Sequence, residues 1–454
     1  MIARLLFVCM AFAPRVAHAD VVPANQALPD PLSLDDALNI LHTRGLDLLI
    51  ADANVRSAEG AVTAANASPN PVFTGSVGNA VTYADTNFSR TNCLQNGSSC
   101  TPWILSMGIT DSGALSDFLS GTKGLRARVA LNALASAKMS RVDAERNLGF
   151  AVKSAYSNVV QAVLSLKFAR EVAATNVITL QKFQTRFKLG LVNEADLQRI
   201  ETQKLESDQA VEAAVLQAKT ARVGLAFLLG VRGATPDFGV DESSLNFSVP
   251  TQLESATEKS LTTLAYAHRP DLLAAGYAMD QANAQIDLNE RMRFPQIALG
   301  VNYAWGGFGG FSTNGPVGPQ TLSFSISVPL PVFYQLDGEI AQAHAQFDAG
   351  ALARAKVTAQ IASDVSIGLA NFASARRIVE RMEGPRRADG GLLESATGAF
   401  HLTALLYDKG AASLTDYLDA LRGFISTKVE EIGDLANYWT AVYQLEQAVG
   451  VSLR

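Results

Sequence analysis

Phe187-Lys-Leu-Gly190-Leu-Val-Asn-Glu-Ala-Asp196-Leu197 and Tyr407-Asp-Lys-Gly410-Ala-Ala-Ser-Leu-Thr-Asp416-Tyr-Leu-Asp419-Ala420 decide the fold, because they are two copies of one joint between helices. In each, a glycine ends an incoming helix and a side chain three residues on, Asn193 or Ser413, caps an outgoing one. The copies lie 220 residues apart (410 − 190 = 416 − 196 = 220). Working outward, Asp47-Leu48-Leu49 recurs as Asp271-Leu272-Leu273, and Pro71 recurs as Pro295, both at an offset of 224 (271 − 47 = 295 − 71 = 224). A near-constant offset with landmarks in one order marks a duplicated unit. Each unit reads helix, two strands, long helix, glycine turn, helix. The first spans 20–229, the second 252–454, and a Gly, Pro and polar linker, 230–251, joins them as an equatorial region.

The long helices follow from what is absent. Thr122 to Leu189 contains no proline, and Leu148, Val152, Ala155, Val159, Ala162 and Leu166 step by four and three, a coiled-coil seam. At 1.5 Å per residue this helix is about 100 Å long. Its return runs from Glu194 to Leu229. The second unit repeats the pair, from about Gly338 to Lys409 and then from Ser413, with Leu414, Leu418, Leu421, Ile425, Ile432, Leu435, Trp439 and Val442 as the apolar stripe. Gly384-Pro385 and Gly390-Gly391 interrupt the second long helix, so a kink or short break is expected there. Shorter helices, Asp35 to Ala67 and Ala256 to Arg293, precede the strands and end at prolines.

Four segments alternate apolar with polar or small residues: Val72 to Tyr83, Trp103 to Thr110, Ile297 to Trp305 and Leu322 to Val328. Each has roughly the length of a tilted strand crossing an outer membrane, with aromatic residues near strand ends. The rest of the chain is helix, so no second sheet is available to cover the apolar faces. Four strands cannot close a barrel, and open edges are excluded from lipid. Closure therefore needs several chains, and a trimer would supply twelve strands. A soluble sandwich face is the reading that a single strand alone would favour.

Met1 to Ala19 reads as a secretory signal peptide, with Arg4, an apolar run from Leu5 to Ala13 and Ala17-His18-Ala19 before the cut. Phe7-Val8 before Cys9 speak against lipid attachment. No other segment is apolar enough for a membrane helix. The formal net charge of −6, without a basic cluster, excludes nucleic acid as a partner. Cys93 and Cys100, in a loop rich in Asn, Gly and Ser, suggest a small disulfide loop in an exported chain, with free thiols or a metal pair as alternatives. Enzyme chemistry finds no support: His42, His268, His344 and His401 are widely spaced, and Gly306 to Gly310 leaves a strand for a hairpin loop, not a helix. No cofactor and no metal site are expected.

On the duplication, the paired strands on long helices and the two turn motifs, the chain resembles the TolC-type outer-membrane efflux proteins over nearly its whole mature length. Leu330-Pro331-Val-Phe333 followed by Gly338-Glu339-Ile340-Ala341, and Gly121-Thr-Lys123-Gly-Leu-Arg126-Ala-Arg128, look most like the heavy-metal, CzcC-like branch. The resemblance implies a mainly α protein with membrane β: long antiparallel helical hairpins forming an α-barrel, and four strands per protomer in a trimeric 12-stranded β-barrel. It further implies an outer-membrane homotrimer in contact with lipid, a periplasmic adaptor and an inner-membrane pump of the RND type. Asp416 and Asp419, three apart on one helix face, would stack carboxylate rings at a pore constriction selective for cations. An ordinary solvated helix face is the competing reading. Asp196 would accept a hydrogen bond from Tyr407 as a gate latch, although Ala412 stands where the family often has a basic residue. Gly190, Leu191, Val192 and Gly410 would form the adaptor-contact turns. The expected function is an efflux duct for metal ions or small toxic compounds; a duct for type I protein secretion, a surface coiled-coil structural protein and a lone porin are the alternatives.

Overall fold

The computed structural model describes residues 23–24, 27–79, 103–308, 320–384 and 391–453. The signal segment, the Cys93 and Cys100 loop, Pro385 and Gly390 therefore lie outside the described residues. In chain order the elements are α1 (Leu34–Arg44), α2 (Leu46–Asn66), β1 (Val72–Asn79), β2 (Trp103–Thr110), α3 (Ala114–Ser120), α4 (Thr122–Lys188), α5 (Glu194–Leu228), a 3-10 turn (Glu242–Leu245), α6 (Thr251–Glu254), α7 (Glu258–His268), α8 (Pro270–Arg291), β3 (Ala298–Phe308), β4 (Gln320–Ser327), α9 (Asp337–Glu383), α10 (Leu392–Asp408) and α11 (Leu414–Val449). They fall into two compact units, one of residues 1–50, 144–261 and 364–454, the other of 51–143 and 262–363. Each unit collects corresponding pieces of both sequence repeats.

Two expected single helices are divided, at corresponding positions and for different reasons. The helix expected over 35–67 stops at Gly45, whose N–H bonds Leu41 O at 2.9 Å, and where a Cβ would lie 2.6 Å from that same oxygen. Its counterpart, expected over 256–293, stops at Arg269 before Pro270 (269 − 45 = 224). Proline disfavours a helical residue before it and donates no hydrogen bond. The second long helix breaks after Glu383, with Gly384 at φ 68°, and resumes at Leu392. The first runs unbroken for 67 residues.

In the first unit the expected seam is the core. Val152, Val159, Ala162 and Leu166 of α4 are buried, the last two against Ala214 and Ala218 of α5, while Leu148 and Ala155 are half-buried. Of the α11 stripe, Leu414, Leu418, Leu421, Ile432, Trp439 and Val442 are buried; Ile425 and Leu435 are half-buried. Several polar groups inside are paired, as burial favours. Tyr156 donates to Leu32 O (2.9 Å) and accepts from Asp241 N (3.2 Å), tying the linker to α4. Tyr438 donates to Ser248 O (2.8 Å), and the buried Glu446 accepts from Lys153 Nζ (2.7 Å) and Leu453 N (3.1 Å).

In the second unit the strands form one antiparallel meander, β1-β2-β3-β4. Register sorts the side chains into rows. Phe73, Ile109, Val301 and Phe324 lie opposite one another, as do Gly75, Met107, Tyr303 and Leu322. The alternate rows are small and polar: Thr74, Gly108, Asn302 and Ser323, then Ser76, Ser106, Ala304 and Thr321. Ser76 and Ser106 share a hydrogen bond of 2.7 Å on that face, and a Cβ at Gly300 would sit 2.6 Å from Ser325 Oγ. The apolar face is bare: Phe73, Val77, Phe324 and Ile326 are each about two-thirds or more exposed (66%, 67%, 76% and 72%). No helix among the described residues is long and apolar enough to cross a membrane.

Gly230 has φ 74°, and a Cβ there would collide with Arg44 O. Gly230→Ala should therefore lower thermal stability by at least the ~1 kcal/mol of an ordinary left-handed strain. Gly60→Ala, within α2 and facing open space, should raise stability by about 0.5–1 kcal/mol through helix propensity. Circular dichroism melts of the two variants, moving in opposite directions, check the assignment.

Candidate functional site

The two glycine turns have the same hydrogen-bond grammar. Gly190 N bonds Phe187 O (2.9 Å) and Leu191 N bonds Arg186 O (2.9 Å); Gly410 N bonds Tyr407 O (3.0 Å) and Ala411 N bonds Leu406 O (2.8 Å). Both glycines are left-handed, at φ 71° and 75°. This closes the orphan carbonyls of α4 and α10. The outgoing helices then start on their caps: Asn193 Oδ1 accepts from Asp196 N at 2.8 Å, and Ser413 Oγ accepts from Asp416 N at 3.2 Å.

An apolar plug joins the two turns within the first unit. Phe183 of α4, Ile200 of α5 and Leu414 and Leu418 of α11 are buried together, with Val192, Leu197, Tyr407 and Tyr417 packed on them. The Phe183 and Tyr407 rings are stacked, 6.1 Å apart with an interplanar angle of 6°. Of the expected adaptor-contact pair, only Leu191 is presented outward (71% exposed); Val192 is turned into the plug. Leu189, 67% exposed, takes the second outward place.

The expected Tyr407 to Asp196 hydrogen bond is not formed. Burial raises the Tyr407 phenol above its usual range, and Arg186, by its charge and a side-chain hydrogen bond, opposes that rise; Asp196 acts on it only through charge. Arg186 also lies 3.9 Å from Asp408. Arg186, at the C-terminal end of α4 where a cation is favoured, donates to the Tyr407 hydroxyl and lies near Asp408. Asp196 instead faces Arg199 at 3.5 Å. Arg186 was legible only as a basic residue in a last helical turn.

Asp416 and Asp419 share a helix face but differ in what they do. Asp416 closes a capping box: its Oδ2 accepts from Ser413 N (3.0 Å) and Ser413 Oγ (2.7 Å). These bonds hold its carboxyl below the usual aspartate range, so it is ionised at neutral pH. Asp419 is 68% exposed and lies 3.9 Å from Arg422. Arg199 and Thr202 of α5 and Thr415, Leu418, Asp419 and Arg422 of α11 line a shallow cleft there. Each acidic residue thus has a polar or cationic neighbour within its own chain. Among the described residues, no group of three or more His, Cys, Asp or Glu is arranged to hold a metal ion.

Residues 261–451 match the family described as outer membrane efflux protein. No curated protein sequence matches significantly. The fold is similar to that of several solved channels. The CusC channel aligns with a TM-score of 0.73 at 16% identity, over 97% of this chain and 99% of that one. The open-state MtrE outer membrane channel of Neisseria gonorrhoeae gives 0.70 at 19%, over 93% and 89%. The outer membrane protein VceC of Vibrio cholerae gives 0.69 at 16%, over 93% and 97%. Over nearly its whole length the chain has the fold of these solved outer-membrane channels.

Proposed function

We propose that this protein is the outer-membrane duct of a tripartite efflux system in a Gram-negative bacterium. Three copies close a twelve-stranded barrel in the outer membrane, and their helical hairpins continue the conduit into the periplasm, toward an adaptor and an RND-type inner-membrane pump. The observation that carries this reading is the four-stranded sheet with a bare apolar face, a small and polar opposite face and two edges, β1 and β4, without partners among the described residues. In lipid an unpaired strand edge costs several kcal/mol per group, so the sheet is complete only when β4 of one copy meets β1 of the next. The small, polar face then lines the lumen. Metal ions or small toxic compounds are the proposed cargo.

The paired turns are the proposed periplasmic mouth. Threefold repetition brings Asp416 and Asp419 into rings, moderated by Arg422 and Arg199, so the expected selectivity for cations is modest. Tyr407, Arg186 and Asp408, with Asp196 close by, form the proposed latch. Leu191, Gly190 and Gly410 form the proposed adaptor surface, with Leu189 added. The structural coiled-coil alternative gives no account of the sheet.

Planar-bilayer recordings test the duct. The wild type should show a small conductance favouring cations, and Asp419→Ala should weaken that preference. Asp416→Asn, which keeps an acceptor for Ser413, should do the same without loss of folding. A large, unselective conductance unaffected by both variants would reject this mouth. Tyr407→Phe with Arg186→Ala should raise the resting conductance if the latch holds the turns. The capping box has its own signature. Because the Asp416 carboxyl is lowered in the folded chain, its contribution is complete above the free-aspartate value of about 3.9 and disappears as pH falls through the lower folded value. Ser413→Ala should cost about 1 kcal/mol at neutral pH and flatten this acid dependence in a thermal melt series.

A further inference from the structure

The apolar stripe of β4 does not stop where its hydrogen bonding stops. Leu322, Phe324 and Ile326 occupy alternate positions on the bare face of the sheet, and Val328, Leu330 and Val332 continue the same alternation past Ser327, the last paired residue. Pro329 and Pro331 take the intervening positions, where residues without an N–H leave no donor unpaired. A bond from Val332 N to Leu330 O (2.8 Å) then turns the chain, and Phe333 projects from that turn with its whole side chain exposed. Leu330 and Val332 are 73% and 70% exposed.

The segment is amphipathic along its length. After Phe333, the Tyr334 ring is half exposed while its hydroxyl is held by Glu339 Oε2 (2.5 Å) and Gly338 N (3.0 Å) at the start of α9. Arg293 donates to Gln335 O (2.9 Å) and pairs with Asp337. The polar end is thus fastened to the helices and the apolar end is free. The same end of the sheet, where β1 begins, β2 ends and β3 begins, carries two further exposed aromatic residues, Phe118 in α3 and Phe294 before β3.

We infer that Val328 to Tyr334 is an interfacial anchor that lies in the phospholipid headgroup and upper acyl region of the periplasmic leaflet. The inference rests on the barrel reading above, since it extends the lipid-facing surface beyond the paired strands. Three features favour lipid as the occupant over a second copy of the chain. The stripe is continuous with the sheet's apolar face; an aromatic ring with a tethered hydroxyl suits an interface that is wet on one side and apolar on the other; and the two other exposed aromatics share that end of the sheet.

The test is nitroxide accessibility on the full mature chain reconstituted into phosphatidylethanolamine and phosphatidylglycerol vesicles. Phe333→Cys and Phe324→Cys are labelled separately, each with Cys93→Ser and Cys100→Ser. Label 324 reports the barrel wall and label 333 the anchor. The expected result is collision with oxygen exceeding collision with a water-soluble nickel complex at both sites, with a shallower depth at 333 than at 324. Label 324 in lipid with label 333 open to nickel places the segment in water and overturns the anchor alone. Label 324 in lipid with label 333 closed to both reagents means that another copy covers the segment, which also overturns it. If label 324 itself avoids lipid, the barrel reading falls and the anchor with it.

Discussion

A β-strand edge cannot be left unpaired in hydrocarbon, and most of this protein follows from that constraint. The four strands are ordered so that β1 and β4 are the edges, with most of the large apolar side chains on one face. Such a sheet is incomplete alone in water, where Phe73 and Phe324 lie bare, and incomplete alone in lipid, where the edges do. Self-association around a lumen, as proposed above, would satisfy both. The small residues of the inner face fit that arrangement. Gly108 and Gly300 stand where side chains from neighbouring strands crowd together, and Ser325 already fills the space a Cβ at Gly300 would need.

At the helical turns, side chains assigned above to the proposed mouth also serve folding. Asp416 is bound to Ser413 by two bonds and keeps the first turn of α11 closed. Its charge is nevertheless retained, because those bonds favour the ionised form. A capping carboxylate is therefore also a permanently charged one at neutral pH. Asp419 has no capping duty and is largely exposed. Arg422 keeps Asp419 from acting as an isolated negative charge. Exposed pairs of this kind are weak and screened by salt, so the character of the mouth depends on ionic conditions more than its aspartates alone suggest.

The sequence disclosed the elements that depend on local rules and concealed those decided by competition between neighbours. Strand faces, the α4 seam, both glycine turns and the break after Glu383 all follow from periodicity or from residues with restricted backbones. The break at Gly45 was hidden because an isolated glycine is tolerated in helices; what makes it a stop is the collision a Cβ would have with Leu41 O. The break before Pro270 was concealed by an apolar pattern that continues across it. At the mouth, spacing placed Tyr407 beside the opposite turn correctly, and its ring does stack on Phe183. Spacing could not reveal that Arg186 would bond its hydroxyl, nor that Val192 would turn inward while its neighbour Leu191 stayed exposed. Those outcomes depend on packing between helices distant in sequence.

Duplication fixed the geometry of the two halves and left their chemistry free to diverge. Gly45 and Pro270 make the same break by opposite means, one by lacking a side chain and the other by lacking a donor. The first turn is capped by Asn193 alone and presents Leu191; the second carries a full capping box and presents Ala411. α4 is continuous where its counterpart is divided into α9 and α10. In a threefold assembly these differences would alternate around the mouth. Three smooth, tightly capped turns would sit between three that carry an exposed leucine. An assembly of six equivalent turns could only open as a uniform ring. In the proposed assembly, alternation would let one set bind a partner through apolar contact while the other moves.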